Sequence, residues 1–98
     1  MAAVTFRLSG VRRRIKSGEA DRLAERLRLH APASSVAEDL AERIAEAIAG
    51  TDAYEIHLEA VEQEELRRVL EEMRDESGLT SGLGLLLKTL LLSGLVPG

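Results

Sequence analysis

Three residues with metal-binding side chains, Glu55, His57 and Glu59, alternate along one short segment of the chain. If that segment is a strand, all three side chains point to the same face, because successive residues of a strand alternate between faces. A histidine between two carboxylates is a donor set that Zn²⁺ or Mn²⁺ accepts. The chain has only one other histidine, His30. We therefore interpret the trio as a solvated strand face and expect no metal or other cofactor.

Residues for acid–base or nucleophilic catalysis do not form a recognisable set. Glu62, Glu64 and Glu65 cluster where the first turn of a helix is expected, and the helix dipole favours negative charge there. Nucleophilic catalysis needs an activated serine or cysteine. The chain has no cysteine, and Ser81 in GLTSG lacks the G-x-S-x-G spacing of a nucleophile elbow. No phosphate-binding glycine motif is present either, so we predict that the protein is not an enzyme.

Charge is divided unevenly along the chain. Residues 1–30 carry eight Lys or Arg against three Asp or Glu, a net +5, and residues 31–76 carry four against fourteen, a net −10. The basic part can meet nucleic-acid phosphates or an acidic protein surface, whether of its own fold or of a partner copy. The residues assigned to nucleic-acid contact are Arg7, Arg12, Arg14, Lys16, Arg22 and Arg26. Stacking aromatics are missing from this set, and the whole chain has a net charge of −4, so nucleic-acid binding is the alternative.

Alternation of apolar and polar residues predicts two strands, over 4–8 and 54–59. Residues 11–15 also alternate, but a strand there would point Arg13 toward the core, so an irregular connection is the other interpretation. If 11–15 is a strand and lies beside 54–59, carboxylates on the outer face of one strand meet cations on the outer face of the neighbouring strand. Those residues are Glu55 and Glu59 on one strand and Arg12, Arg14 and Lys16 on the other.

Helical spacing of apolar residues predicts three amphipathic helices, at about 19–30, 35–49 and 62–76. Ser17 is the expected N-cap of the first helix, and Ser35 with Glu38 has the spacing of a capping box for the second. The elements together predict a compact α+β domain over residues 1–78. We expect a small two-layer sandwich with helices on one face of the sheet.

The C-terminal segment, residues 79–98, is rich in leucine, and we predict a helix at about 81–93 that is apolar nearly all round. It is expected to pack on the same domain or on a twin copy. A domain this small already covers a sheet face with three helices, so a second copy would supply the missing cover. The leucines assigned to self-association are Leu83, Leu86, Leu87, Leu90 and Leu91. Membrane contact is a further alternative, since apolar surface left in water forms an exposed patch.

These features predict a non-enzymatic protein-interaction or regulatory module that forms a homodimer through its tail. The alternatives are nucleic-acid binding through the basic N-terminal part and membrane association through the tail. The absence of cysteine, and of an apolar run long enough for a signal peptide in the first ten residues, favours the cytoplasm. No motif indicates which protein the partner would be.

Overall fold

The structure is a computed structural model that describes residues 3–8, 10–50 and 55–95. Within these residues it contains three strands and four α-helices, so the predicted α+β class is confirmed. Residues 11–16, for which a strand was one of two interpretations, do form a strand. Tyr54, the first residue of the predicted 54–59 strand, lies outside the described residues. The elements are β1 (Ala3–Leu8), β2 (Val11–Lys16), α1 (Ser17–His30), a short 3-10 turn (Ala31–Ala33), α2 (Ser35–Ala49), β3 (Glu55–His57), α3 (Ala60–Ser77) and α4 (Ser81–Leu95).

The strands form one mixed sheet in the order β2-β1-β3. β1 and β2 pair antiparallel as a hairpin, and Gly10 supplies a left-handed turn residue with φ 79°. β3 pairs parallel with β1, so it does not lie beside β2, the arrangement on which the predicted charge pairing depends. Parallel pairing needs a long crossover, which the segment from α1 to α2 provides. β1 is therefore the central strand.

Helix starts follow the local backbone and differ from the predicted caps. The extended backbone reaches Ser34, whose Oγ accepts a hydrogen bond from the Ala37 N–H at 3.1 Å. Ser35 is already helical, so the predicted Ser35–Glu38 capping box does not form. β2 likewise runs into α1 without a loop, and Lys16 takes the N-cap position predicted for Ser17. The cap is set by where the preceding element ends, and the serine pattern alone does not specify that point.

One hydrophobic core joins the inner face of the sheet to all four helices. α1 and α2 cover β1, α4 lies against β2, and α3 packs mainly against α2 and α4. β1 contributes Val4, Phe6 and Leu8, all of which are buried. Alternate residues of β1 therefore point away from the helices, to the open side of the sheet.

Arg13 does point to the helix side of the sheet, as its position in the β2 alternation predicts. It is only half-buried because β2 is an edge strand. Its Nε donates a hydrogen bond to Thr89 Oγ1 on α4 at 2.7 Å, and Thr89 donates to the Leu85 carbonyl at 2.9 Å. A single hydroxyl in an apolar helix thus satisfies the one inward-pointing cation of β2. The signal in the sequence was the lone Thr89 among leucines, which needs a polar partner when buried.

A single copy encloses most of the leucines that we assigned to self-association. Leu83 and Leu86 are 0% exposed, Leu87 is 3% and Leu90 is 2%, while Leu91 packs partly buried at the edge of the core. The premise that one copy cannot cover α4 therefore does not hold, since β2 and α3 supply the receiving surface. The large apolar side chains that α4 leaves exposed, among those described, are Leu85 and Leu92.

Candidate docking face on the sheet

The open side of the sheet gathers four of the six predicted nucleic-acid contact residues. Arg7 lies on β1, and Arg12, Arg14 and Lys16 lie on β2 at alternate positions. The strand register places Thr5 between Arg14 and Glu55, and it places Arg7 between Arg12 and His57. We call Arg7, Arg12, Arg14 and Lys16 the basic sheet face. Its formation follows from the period of two along each strand together with the β2-β1-β3 order.

Glu55 is the one carboxylate on this side of the described sheet. It lies 3.2 Å from Arg12 Nε and 4.0 Å from Arg7 Nη1. The predicted pairing of Glu55 with Arg12 therefore forms, although the two strands are separated by β1. One carboxylate cannot balance four cations, and Arg14 and Lys16 form no ion pair with any described residue. The basic sheet face keeps an excess of positive charge.

The remaining two predicted contact residues lie elsewhere. Arg26 donates hydrogen bonds of 2.9 Å to Glu72 and Glu76 and so joins α1 to α3. Hydrogen bonds from His30 and then Arg26 lower the pKa of Glu72 below its ordinary value. Arg26 is therefore occupied within the fold. Arg22 is exposed, but it lines a shallow cavity of about 210 Å³ on the α1–α3 side.

A single carboxylate, that of Glu19, joins the start of α1 to the start of α4. Its Oε1 accepts the Lys16 N–H at 3.0 Å, and its Oε2 accepts the Thr80 hydroxyl and the Gly82 N–H, the latter at 3.1 Å. The Thr80 bond is the largest cause that lowers the pKa of Glu19, followed by the Lys16 bond. From the sequence, Glu19 indicated only a favourable first-turn charge. Its contact with α4 spans sixty-three residues and no local pattern encodes it.

Glu19, Thr80 and Gly82 line an open groove of about 710 Å³ beside the basic sheet face. Arg14 and Lys16 line one side, and Ser17 and Ser81 line the helix starts. Amide groups at a helix start attract anions. Here the Glu19 carboxylate already takes that position at α4, because it accepts the Gly82 N–H.

The metal-binding trio considered from the sequence does not share one strand face. Glu55 and His57 lie on β3, but Glu59 is the N-cap of α3, where its N–H donates to Glu62 Oε1 at 2.9 Å. Arg43 further ties this corner together, because it donates to the His57 carbonyl at 3.2 Å and pairs with Asp39 and Glu62. In residues 3–8, 10–50 and 55–95 no group of three or more His, Asp or Glu is placed to hold a metal ion.

The leucine-rich helix was also the basis for a membrane alternative. Across the part of the chain that the structure describes, no helix is both long and apolar enough to cross a bilayer. The exposed apolar residues of α4, Leu85 and Leu92, lie seven positions apart with Lys88 between them. They form a narrow stripe on a helix whose Leu83, Leu86, Leu87 and Leu90 lie in the core and whose Leu91 packs against it.

Comparison with known proteins found no family model, no curated protein and no solved structure that matches this chain.

Proposed function

We propose that this protein is a non-enzymatic interaction module that binds an acidic protein surface through the basic sheet face. The observation that supports this proposal is the excess charge of that face: four exposed or half-exposed cations surround one carboxylate on a sheet side that no described helix covers. Opposite potentials steer association and fix the orientation of partners. We also propose that it acts in the cytoplasm, a compartment that suits a chain without cysteine.

The dimensions of the basic sheet face favour a compact partner surface. Arg12, Arg14 and Lys16 span about 13 Å along β2, since alternate residues of a strand repeat about every 6.6–6.8 Å. The three strands together are about 10 Å wide at a spacing of about 4.8 Å. A helix or loop that presents two or three carboxylates covers such an area.

Nucleic acid is the second candidate for the same face. It is favoured by the convergence of Arg7, Arg12, Arg14 and Lys16, which lie on three alternate pairs of the β1–β2 hairpin. Two features favour protein over nucleic acid. Among the described residues the face presents no Phe, Tyr or Trp on which a base could stack, and the chain as a whole carries a net charge of −4. A long polyanion would meet the acidic helices as well.

Fluorescence anisotropy with labelled polyglutamate tests the proposal. We expect binding at low salt that weakens as salt is added, because the contact consists of exposed charges. The double variant Arg14→Gln with Lys16→Gln should remove most of this binding, since neither side chain has a partner within the described fold. The matched control is Arg22→Gln with Arg28→Gln, which removes the same charge from the exposed side of α1.

Equal loss of binding in both double variants would show that net charge, and not the basic sheet face, governs the interaction. A parallel filter-binding titration with single-stranded and double-stranded DNA separates the two candidates. Tight, steeply salt-dependent DNA binding that is lost in Arg12→Glu with Arg14→Glu would favour nucleic acid over an acidic protein surface.

A further inference from the structure

The exposed side of α2 carries a row of carboxylates with no cation among them. Glu38, Glu42 and Glu46 are all exposed and recur every four residues. None of the three forms an ion pair with a described residue. Asp39 is the other exposed charge on α2, and it is held by Arg43 at 2.8 Å. We call Glu38, Glu42 and Glu46 the acidic α2 row.

The acidic α2 row matches the cations of β2 in number and length. Eight residues of α-helix separate Glu38 from Glu46, a rise of about 12 Å. The cations of β2, Arg12, Arg14 and Lys16, span about 13 Å. Arg12 uses Nε to meet Glu55, and its other guanidinium N–H groups remain available because the side chain is 65% exposed. The three carboxylates of α2 and the three cations of β2 therefore recur at nearly equal intervals.

We propose that the basic sheet face of one copy docks on the acidic α2 row of a second copy. The inference rests on the proposed function of the basic sheet face and names its partner. The two surfaces cannot meet within one copy, because α2 packs on the helix side of β1 and β3 while the cations point to the open side. Within the described fold the acidic α2 row therefore stays unpaired, and so do Arg14 and Lys16 of the basic sheet face, until another molecule supplies the complement.

The position of the two surfaces also determines the geometry of the assembly. They lie on opposite sides of the core, so two copies related by a twofold axis cannot make both contacts at once. The interface is heterologous, so a pair of copies leaves one basic sheet face free at one end and one acidic α2 row free at the other. Such contacts continue into chains of copies when the rotation does not close a ring. This differs from the closed dimer that the leucine-rich tail predicted.

The contact is expected to be weak and strongly dependent on salt. Each exposed ion pair multiplies an association constant by roughly 1.4-fold to 5.4-fold. Three pairs together multiply it by about 3-fold to about 150-fold. The Debye length falls from about 30 Å at 0.01 M salt to about 3 Å at 1 M. We therefore expect the copies to assemble at low salt and high protein concentration.

Sedimentation equilibrium of the full chain provides the test. In about 0.01 M salt the mean mass should rise continuously with protein concentration, and in about 1 M salt the chain should be monomeric. Removing the basic sheet face with Arg14→Gln and Lys16→Gln, or the acidic α2 row with Glu42→Gln and Glu46→Gln, should weaken association by roughly 2-fold to 30-fold. The charge-matched controls are Arg22→Gln with Arg28→Gln and Asp21→Asn with Glu25→Gln, which lie on the exposed side of α1.

Mixing the two double variants gives the most specific result. The variant without the basic sheet face keeps an intact acidic α2 row, and the other variant keeps an intact basic sheet face. We expect the mixture to form mainly a 1:1 complex, because each free end then binds a further copy roughly 2-fold to 30-fold more weakly. No such complex should form with either variant alone.

Three results would overturn the inference. The first is a wild-type mass that stops at a dimer, and the second is a mixture of the two variants that remains monomeric. The third is a wild-type chain that remains monomeric at millimolar concentration in low salt. If polyglutamate still binds the basic sheet face in that third case, the proposed function stands and only this choice of partner fails. If polyglutamate does not bind either, both fail together.

Discussion

Replacing Gly82 by alanine and, separately, replacing Gly84 by alanine tests whether Glu19 stabilises the start of α4. Both glycines lie in the first turns of the same helix. A Cβ added at Gly84 meets nothing within 4 Å, whereas a Cβ at Gly82 would lie 2.5 Å and 2.6 Å from the two carboxylate oxygens of Glu19. The same chemical change therefore displaces a hydrogen-bonded carboxylate at one position and fills open space at the other.

The two substitutions should change stability in opposite directions. Alanine stabilises a helix over glycine by about 0.5–1 kcal/mol, so Gly84→Ala should gain about that amount. At Gly82 the carboxylate must move, and it loses bonds from the Gly82 N–H and the Thr80 hydroxyl. A bond to a charged group contributes about 1.5–3 kcal/mol, and water replaces part of that at this half-buried site. We expect Gly82→Ala to lower the free energy of unfolding by about 0.5–2 kcal/mol after the helix gain is included.

Urea denaturation followed by circular dichroism measures both effects. For a chain of this length a change of about 1 kcal/mol shifts Tm by roughly 4–8 °C, so thermal melts should resolve the pair. In a Glu19→Ala background the clash and the lost bonds are both absent, and the two substitutions should then stabilise equally. If Gly82→Ala and Gly84→Ala already stabilise the wild-type chain by the same amount, Glu19 does not hold α4 and the reasoning is wrong.

Three further predictions follow from the contacts of the core and its rim. The folded pKa values of Glu19 and Glu72 are lowered, so the stabilisation from these two carboxylates is present above about pH 4.3 and is lost as pH falls through the lowered values. Between pH 7 and pH 3, denaturant midpoints should therefore fall less steeply in the double variant Glu19→Gln with Glu72→Gln than in the wild-type chain. Arg43→Ala should lower the free energy of unfolding by about 1–3 kcal/mol, because it leaves α2, β3 and α3 without their shared cation. The control is Arg74→Ala, which removes an exposed ion pair with the next residue. It should change the free energy of unfolding by no more than about 0.5 kcal/mol in the same urea assay. A chain that ends at Ser77 loses four buried leucines that contribute about 1.5–3 kcal/mol each, a sum comparable to the whole stability of a small domain. We expect this shortened chain to show no cooperative thermal transition. A cooperative transition would contradict the role of α4 in the core.

Local patterns predicted most of the elements and, for most of them, which residues share a face. The alternation in 4–8 and 11–15 placed Arg7, Arg12 and Arg14 on one side of their strands, and the structure confirms this placement. The helical repeat over 35–49 likewise separated the buried side of α2 from its carboxylates. These features depend on the periods of the strand and the helix, which each segment carries in its own residues.

Pairing between distant segments was beyond the reach of those patterns. β3 lies beside β1, Arg26 is occupied by α3, and Glu19 is shared by α1 and α4. Any of several exposed carboxylates has the right chemistry for Arg26, and the sequence does not rank them by distance. Only the path of the chain through α1 and α2 brings one particular partner within hydrogen-bond reach.

The leucine-rich tail shows most clearly the difference between what the sequence determines and what tertiary packing determines. Its composition determined that α4 must be covered, because a helix apolar nearly all round is unstable in water. Whether the cover comes from the same copy or from a twin depends on the space left between β2 and α3, and that space exists only after the sheet and the first three helices have packed. The fold fills it with Leu83, Leu86, Leu87 and Leu90 of the same chain. Composition thus required burial of the tail, and tertiary packing decided what buries it, since the receiving surface is assembled from segments distant in sequence.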